Sequence, residues 1–379
     1  MSEYQIVKFR AIDRPLSDEQ LQFMDRQSSR AEFTKWEFKV EYHYSSFRGD
    51  IDGMLRNGYD IFLNYSNYGY REIRMRLPNG LPFAKSVWSK YISVKGFTWT
   101  PDKTGKAGIL AIAPYLDEAY DQVWAFDDYL DASAKLREML IAGDLRALYA
   151  LWMCGAISSG DEDDAVMEPP VPHGLGEFSS EAAELFYFFE ADPLLVDAAA
   201  TGIPMFNALG SQGDSVKAWF TTITDSRRVA IIQRLLSEDP VGLKAELLSE
   251  IRDSQQAPSW PVKPPTRTVA LLRQMCESLR QKEDEKEKKQ AAAKAKRDAD
   301  NAEKQRQARM VEIKSAPDSW LKKASKLVEK RGTDNYREAA SILADLRDAL
   351  GGEQGNQIAR KHAAHLAQKY PTLNLLKSS

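Results

Sequence analysis

The chain has 379 residues, of which 43% are hydrophobic, and a formal net charge of −3. This length exceeds one ordinary domain, and the hydrophobic content excludes a wholly disordered chain. No run of about 18 apolar residues occurs, so the sequence predicts no membrane partner. The first residues lack the features of a signal peptide, and Cys154 and Cys276 lie far apart in sequence. We therefore expect a cytoplasmic protein with two free, mostly buried thiols.

The charge is unevenly distributed along the chain. Residues 101–200 carry 5 basic and 20 acidic side chains, a net of −15, whereas residues 280–379 carry 23 basic and 15 acidic ones, a net of +8. Opposite charges of this size attract each other within the chain or between copies, over about 8–10 Å at ordinary ionic strength. Acidic residues are interspersed in the basic tail, which weakens the case for nucleic-acid binding.

The chain to residue 157 predicts an N-terminal mixed α/β-sheet domain. Residues 4–12 alternate in hydropathy as a strand does, and residues 33–44 do so again. Between them, Ser17 to Gln20 has the spacing of a capping box, which predicts a helix that extends to about Ser29.

Residues 59–78 predict a β-hairpin around the turn Ser66-Asn-Tyr-Gly69. The alternating residues of its first strand share one apolar face and those of its second strand share another. Arg74 and Arg76 are then expected to point away from the core. Residues 91–114 predict a second pair of strands.

From residue 116 the periodicity is helical. An acidic and proline-rich linker is predicted at 158–178, and a helical middle domain at 179–279. The run Asp161-Glu-Asp-Asp164 could bind a divalent cation. It lacks the alternating spacing and glycine of a calcium loop, so a solvated loop is the better interpretation.

Residues 280–316 predict a long charged helix. Ala, Lys, Glu, Gln and Arg are strong helix formers, and pairs such as Asp284–Lys288 each contribute roughly 0.2–0.5 kcal/mol. The would-be a and d positions are mostly Lys or Ala, which argues against a leucine-type coiled coil. A solvated spacer helix is favoured over weak pairing or disorder, and about 30 residues would span roughly 45 Å.

Residues 317–379 predict a C-terminal three-helix bundle. Trp320 and Leu321 begin the first apolar stripe, Gly351-Gly352 ends the second helix, and Pro371 stops the third. The predicted fold class for the whole chain is therefore α+β.

The sequence predicts no catalytic, cofactor-binding or metal-binding residues. His362 and His365 share a helix face at i, i+3, but no cysteine or metalloprotease motif accompanies them. His43 has no nucleophile motif beside it. Thr104-Gly-Lys106 lacks the first glycine and the final Ser or Thr of a phosphate-binding loop, so a turn between strands is expected.

Aromatic and basic residues recur together in the N-terminal domain. Aromatic rings beside arginines can stack nucleic-acid bases, and the same residue types are enriched at protein interfaces. A sheet with half-exposed tyrosines and no partner is the third interpretation. The candidate partner-binding residues are Tyr42, Tyr44, Phe47, Arg48, Tyr68, Tyr70, Arg74 and Arg76.

Several short motifs resemble an uncharacterised bacterial protein family. They are Glu3-Tyr-Gln5, Ala11-Ile-Asp-Arg-Pro15, Glu41-Tyr-His43, Phe47-Arg-Gly-Asp50, Arg76-Leu-Pro78, Ala142-Gly-Asp-Leu-Arg-Ala-Leu-Tyr149 and Glu168-Pro-Pro-Val-Pro172. From Trp320 to Arg347 the chain is similar to the C-terminal helices of bacterial SWIM-type zinc-finger proteins. The zinc ligands of that family are absent here, and the resemblance implies no established activity.

The spacer and the lack of catalytic motifs predict a non-catalytic protein-interaction, adaptor or regulatory protein that links partner proteins through its two ends. A nucleic-acid-associated accessory factor is the alternative, through the Tyr/Arg face or the basic tail. An enzyme of unrecognised type stays open as a third. The sequence does not predict the oligomeric state.

Overall fold

The computed structural model describes residues 4–105, 107–114, 116, 126–157, 164–206, 216–237, 243–244, 246–248, 250–251 and 260–370. The chain divides into two compact units, Met1–Lys282 (unit 1) and Glu283–Ser379 (unit 2). Within the described ranges, no helix has both the length and the apolar character that crossing a membrane requires. Lys106 and most of the acidic run Asp161–Asp164 lie outside the described residues.

Unit 1 contains a seven-stranded antiparallel sheet in the order β2-β3-β1-β4-β5-β7-β6. Together with the helices, this sheet confirms the predicted α+β class. A short pair, β8 (Val171–Pro172) and β9 (Val262–Lys263), lies outside it. The sheet strands are β1 (Tyr4–Arg10), β2 (Glu32–Phe33), β3 (Glu37–His43), β4 (Ile61–Ser66), β5 (Arg71–Leu77), β6 (Phe97–Pro101) and β7 (Gly108–Ile112).

Helices make up most of the remaining described chain. The capping box is confirmed: Ser17 Oγ accepts from the backbone N–H of Gln20, and Gln20 Oε1 accepts from that of Ser17. The helices are α1 (Asp18–Asp25), α2 (Ile51–Arg56), α3 (Lys85–Trp88), α4 (Phe126–Ala142), α5 (Leu145–Ile157), α6 (Ser180–Phe188), α7 (Leu194–Ala200), α8 (Asp225–Ser237), α9 (Val269–Ser315), α10 (Pro317–Lys330), α11 (Thr333–Leu350) and α12 (Gly352–Lys369).

The register of the β4–β5 hairpin differs from the sequence expectation. Leu63 lies opposite Ile73, and Ile61 lies opposite Met75. Directly opposed residues share a face, so both apolar sets belong to one face of the sheet instead of two. Arg74 lies on the other face, opposite Phe62, and is half-buried there instead of pointing into water.

The first face of the sheet carries the main core. That core extends from Ile6 in β1 through helices α4 to α7 and ends at Cys276 in the first turns of α9. Helices on both sides of 158–178 therefore share one interior, whereas the sequence predicts two domains separated by a linker. The physical reason lies in the segment itself, because Val171 and Leu175 are buried within the same core.

The second face carries a smaller, aromatic core. Phe9, Phe38, Tyr59 and Phe62 are fully buried there, and Phe9 packs edge-on against Phe38 at 5.6 Å between ring centroids. Helices α1 and α2 cover this face, with Met24, Met54 and Leu55 buried beneath them. Both faces of the sheet are thus covered.

Unit 2 contains most of α9 and the three helices that follow. The whole of α9 is one 47-residue helix, and every residue from 280 to 308 is exposed. Its last turns join the bundle of α10 to α12: Ile313 is fully buried, and Arg309 Nη2 lies 2.8 Å from Asp345 Oδ2 of α11. The end of the charged helix therefore adds a fourth helix to the three that the sequence predicts.

Candidate functional site: a tyrosine-rich end of the sheet

The candidate site lies at one end of the sheet in unit 1. Because neighbouring strands are antiparallel, the last residues of β3 and β4 meet the first residues of β1 and β5 there. Residues 44–50, which lead to α2, and the turn at 67–70 both begin at this end. Tyr44, Tyr68 and Tyr70, here called the tyrosine end, are 74%, 53% and 42% exposed.

A row of buried polar side chains lies beneath this surface. Gln5, Asn64 and Glu72 are each less than 7% exposed. Gln5 Nε2 donates to Asn64 Oδ1 at 3.0 Å, and Gln5 Oε1 accepts from the backbone N–H of Phe47 at 2.7 Å. The second bond fixes the middle of the loop at 44–50 to β1, so the loop that carries Tyr44 is anchored to the sheet.

Glu72 joins the tyrosine end to α2. The Tyr70 hydroxyl donates to Glu72 Oε2 at 2.8 Å, and Arg74 Nε donates to Glu72 Oε1 at 2.7 Å. Arg74 Nη1 then donates to Asp52 Oδ1 at 2.6 Å. Burial raises the pKa of Tyr70 and the charge of Glu72 raises it further, so this hydroxyl remains a donor at ordinary pH. Arg74 is neutralised by two carboxylates.

Tyr44 has an unfavourable backbone conformation. Its φ is +59°, in the left-handed region that residues with a Cβ rarely occupy. Such a conformation costs on the order of 1–3 kcal/mol and persists only where the surrounding structure imposes it. Strained backbones of this kind cluster at functional sites. Here the strain falls on the most exposed tyrosine of this end.

The eight predicted residues fall into three groups. Tyr44, Arg48, Tyr68 and Tyr70 are exposed and lie in the two connections. Tyr42, Phe47 and Arg74 are half-buried and support them: the Tyr42 hydroxyl is 3.0 Å from Ser28 Oγ, and the Phe47 ring is 6.0 Å from that of Phe38. Arg76 lies towards the opposite end of β5, where its carbonyl accepts from Arg137 Nε at 2.6 Å.

The buried polar row was not predicted from the sequence. Gln5, Asn64 and Glu72 occupy inward positions of strands that are otherwise apolar. A polar residue at such a position is itself a signal, because burying it without a hydrogen-bond partner costs free energy. That signal was available in the alternation of β4, where Phe62 is followed two residues later by Asn64.

The other sequence candidates do not form reactive sites in the described structure. Cys154 and Cys276 are free and buried, and burial raises the pKa of both thiols, that of Cys276 to about 12. Neither is therefore a thiolate at ordinary pH. The Nε2 atom of His362 lies 3.0 Å from Ser325 Oγ, and burial lowers its pKa. Among the described residues, no three metal-binding side chains come together.

Comparison with family models, curated proteins and solved structures gives no match to this chain. The resemblance to a bacterial family and to SWIM-type tails thus stays a prediction from the motifs. Any functional assignment has to come from the surfaces of the molecule itself.

Proposed function

We propose that the protein is a non-catalytic cytoplasmic adaptor, and that its tyrosine end binds a partner protein. The supporting observation is that Tyr44, Tyr68 and Tyr70 are exposed at the same end of the sheet, on two connections that hydrogen bonds anchor to β1. Tyrosine supplies a large, rigid contact area at low entropic cost, which is why it is concentrated at binding hot spots.

The charges at this end favour a protein over a nucleic acid. Arg74 is already paired with Glu72 and Asp52. Arg48 is exposed and has no carboxylate within 4.0 Å among the described residues. Arg30 is likewise exposed, with its guanidinium 5.7 Å from the centre of the Tyr42 ring. Two such cations are a small share of what phosphate binding needs, since nucleic-acid affinity comes mainly from several Lys and Arg contacts with phosphates.

Unit 2 supplies the second half of the adaptor proposal. It has its own core, in which Ala324, Val328, Ile342 and Leu366 are buried. The charged part of α9 is exposed throughout and so is free of either core. A body with a separate interior can hold a second partner while unit 1 holds the first, which is the arrangement that an adaptor needs.

A second candidate function rests on a different surface. Lys322, Lys326 and Lys330, here called the lysine ridge, recur at i, i+4 and i+8 on α10 and are exposed. None of them has a carboxylate within 4.0 Å among the described residues, whereas neighbouring Lys323 lies 3.9 Å from Glu338. A line of unpaired cations on one helix face suits a polyanion, so nucleic-acid binding by unit 2 is the alternative.

Site-specific photo-crosslinking tests the main proposal. A photoreactive phenylalanine analogue replaces Tyr68 in the full chain, and crosslinked proteins are identified in the native host. The control carries the analogue at Trp36, which is 49% exposed at the opposite end of β3. We expect a defined adduct from position 68 alone, and Tyr44→Ala should reduce its yield. Identical adducts from both positions, or none from position 68, would contradict the proposal.

A further inference from the structure

Helix α8 turns its large aliphatic side chains towards solvent. Val229, Ile232, Leu235 and Leu236 are 53%, 56%, 53% and 82% exposed. Their spacing places them along one side of the helix. Phe220 is 49% exposed and packs against the same helix, with the Arg228 guanidinium 4.8 Å from the centre of its ring. These five side chains are here called the α8 stripe.

The opposite side of α8 is held to unit 1 by arginines. Arg227 Nη2 lies 2.5 Å from Glu250 Oε1, and Arg234 makes two bonds of 3.0 Å to the carboxylate of Glu246. A surface helix ordinarily buries its apolar side and exposes its charges. Here the ion pairs fix the reverse orientation, so the exposed stripe is a consequence of how this helix is attached.

The size of the α8 stripe is that of half an interface. Five large side chains about half exposed present on the order of 500 Å², near the upper end of the largest apolar patch on a typical monomer. Two such patches pressed together would remove roughly 1,000 Å² from water, which is the lower limit for a specific protein interface.

We propose that the α8 stripe pairs with the same stripe of a second copy of this chain. A contact across a two-fold axis needs a self-complementary surface, and an aliphatic stripe meets that condition. Arg228, which lies beside the α8 stripe, is already 2.7 Å from Asp225, so two copies would not bring this cation together with its counterpart unpaired. The α8 stripe and the tyrosine end share no residue, and a dimer formed in this way would carry two tyrosine ends.

Sedimentation equilibrium of the full chain between about 1 and 100 µM tests the proposal, since a patch of this size predicts a concentration-dependent dimer. Ile232→Glu with Leu236→Glu should give a monomer throughout this range. The matched control is Leu271→Glu, a change of the same kind at a side chain that is 40% exposed on α9. Circular dichroism verifies that each variant is folded.

A cysteine at the centre of the α8 stripe provides a second test. Ile232→Cys should form a disulfide-linked dimer on mild oxidation, whereas Leu271→Cys, outside the α8 stripe, should not. Both native cysteines are buried, so they should add no background crosslinking. A chain that is monomeric at every concentration would overturn the proposal. A dimer that survives Ile232→Glu with Leu236→Glu, or an Ile232→Cys chain that stays unlinked, would do the same.

Discussion

Glu168 and Arg267 form a doubly hydrogen-bonded ion pair inside unit 1. Arg267 Nε lies 2.9 Å from Glu168 Oε1, and Arg267 Nη2 lies 2.8 Å from Glu168 Oε2. The Tyr149 hydroxyl donates to the same carboxylate at 2.7 Å. The pair joins the proline-rich segment to the residues just before α9, so it holds together parts of the chain that are 99 residues apart.

Glu168→Gln should destabilise unit 1 strongly. The substitution leaves the Arg267 guanidinium buried opposite a neutral amide, and breaking a buried pair in this way typically costs about 3–5 kcal/mol. Urea denaturation followed by tryptophan fluorescence measures the change. The control is Glu285→Gln, which removes an exposed pair with Lys289 at 3.7 Å and should cost less than about 0.5 kcal/mol. Equal changes in the free energy of unfolding would show that the buried pair contributes no more to stability than the exposed pair does.

Stability should fall at alkaline pH. Burial raises the pKa of Tyr59, Tyr70, Tyr91 and Tyr149 above the ordinary value of 10.0. The unfolded chain then loses protons near pH 10 while the folded chain keeps them. The contribution of these tyrosines to the free energy of unfolding is therefore fully present below that pH and declines above it. Urea midpoints between pH 8 and 11.5 test this.

Tyr91→Phe separates ionisation from the loss of a hydrogen bond. The hydroxyl of Tyr91 donates to the carbonyl of Pro170 at 2.7 Å, so the variant should be less stable at pH 8. Above pH 10 the stability of the variant should decline less steeply than that of the unmodified protein. The two slopes should differ by about 1.4 kcal/mol per pH unit, the value for one proton. An unchanged slope would contradict the assignment of this residue to the alkaline transition.

Gly96→Ala should destabilise unit 1 more than Gly105→Ala does. Both glycines have left-handed backbones, with φ of +76° and +68°. A Cβ on Gly96 would overlap the backbone carbonyl of Ala113, whereas a Cβ on Gly105 meets nothing within 4 Å. Both variants bear the conformational cost, and the overlap should add about 1–3 kcal/mol to the first alone. Thermal unfolding of the two variants gives the difference.

Tyr44→Asn should preserve or increase the stability of unit 1 and weaken partner binding. Asparagine tolerates the left-handed region better than tyrosine, so relief of strain could raise the free energy of unfolding by about 1 kcal/mol. Tyr68→Asn is the control, since Tyr68 does not have a positive φ. If Tyr44→Asn lost as much stability as the control, the contacts of the Tyr44 ring would contribute more to the free energy of unfolding than relief of the backbone strain does.

The lysine ridge makes the second candidate function testable by salt dependence. If unit 2 binds duplex DNA, the logarithm of affinity should fall linearly with the logarithm of salt concentration. Lys322→Glu with Lys326→Glu should make that slope shallower by about 2, since two phosphate contacts are lost. Lys286→Glu with Lys288→Glu changes the charge equally on the exposed part of α9 and should leave the slope nearly unchanged. Absence of binding would leave the protein partner as the remaining candidate.

Local patterns predicted the elements of this fold well. The turn at 66–69 and the capping box at Ser17 each depend on neighbouring residues, so the sequence indicates them directly. The strand predicted at 33–44 is only partly correct, because Phe33 ends β2 and β3 begins at Glu37. The long helix was predicted for the same reason, because its residues are strong helix formers throughout. Exposure of the charged stretch also followed from its lack of apolar side chains.

Pairings between distant segments were beyond the sequence. The division at 158–178 followed from its prolines and acidic residues, and nothing local indicated that Glu168 binds Arg267. Alternation places Arg74 on the face opposite Ile73 and Met75, as expected, but only the folded chain covers that second face with α1 and α2 and so half-buries Arg74. The orientation of α8 could not be predicted for a similar reason, since Arg227 and Arg234 meet their carboxylate partners only in the folded unit.

The first turns of α9 are buried with Leu272 in one interior, and its last turns are buried with Ile313 in another, while residues 281–305 between them are exposed throughout. Insertions or deletions within that stretch alter no buried contact, so selection can lengthen or shorten it without a penalty in folding. The length of this stretch in related proteins should then be limited by the partners that the protein binds and hardly at all by the requirement to fold.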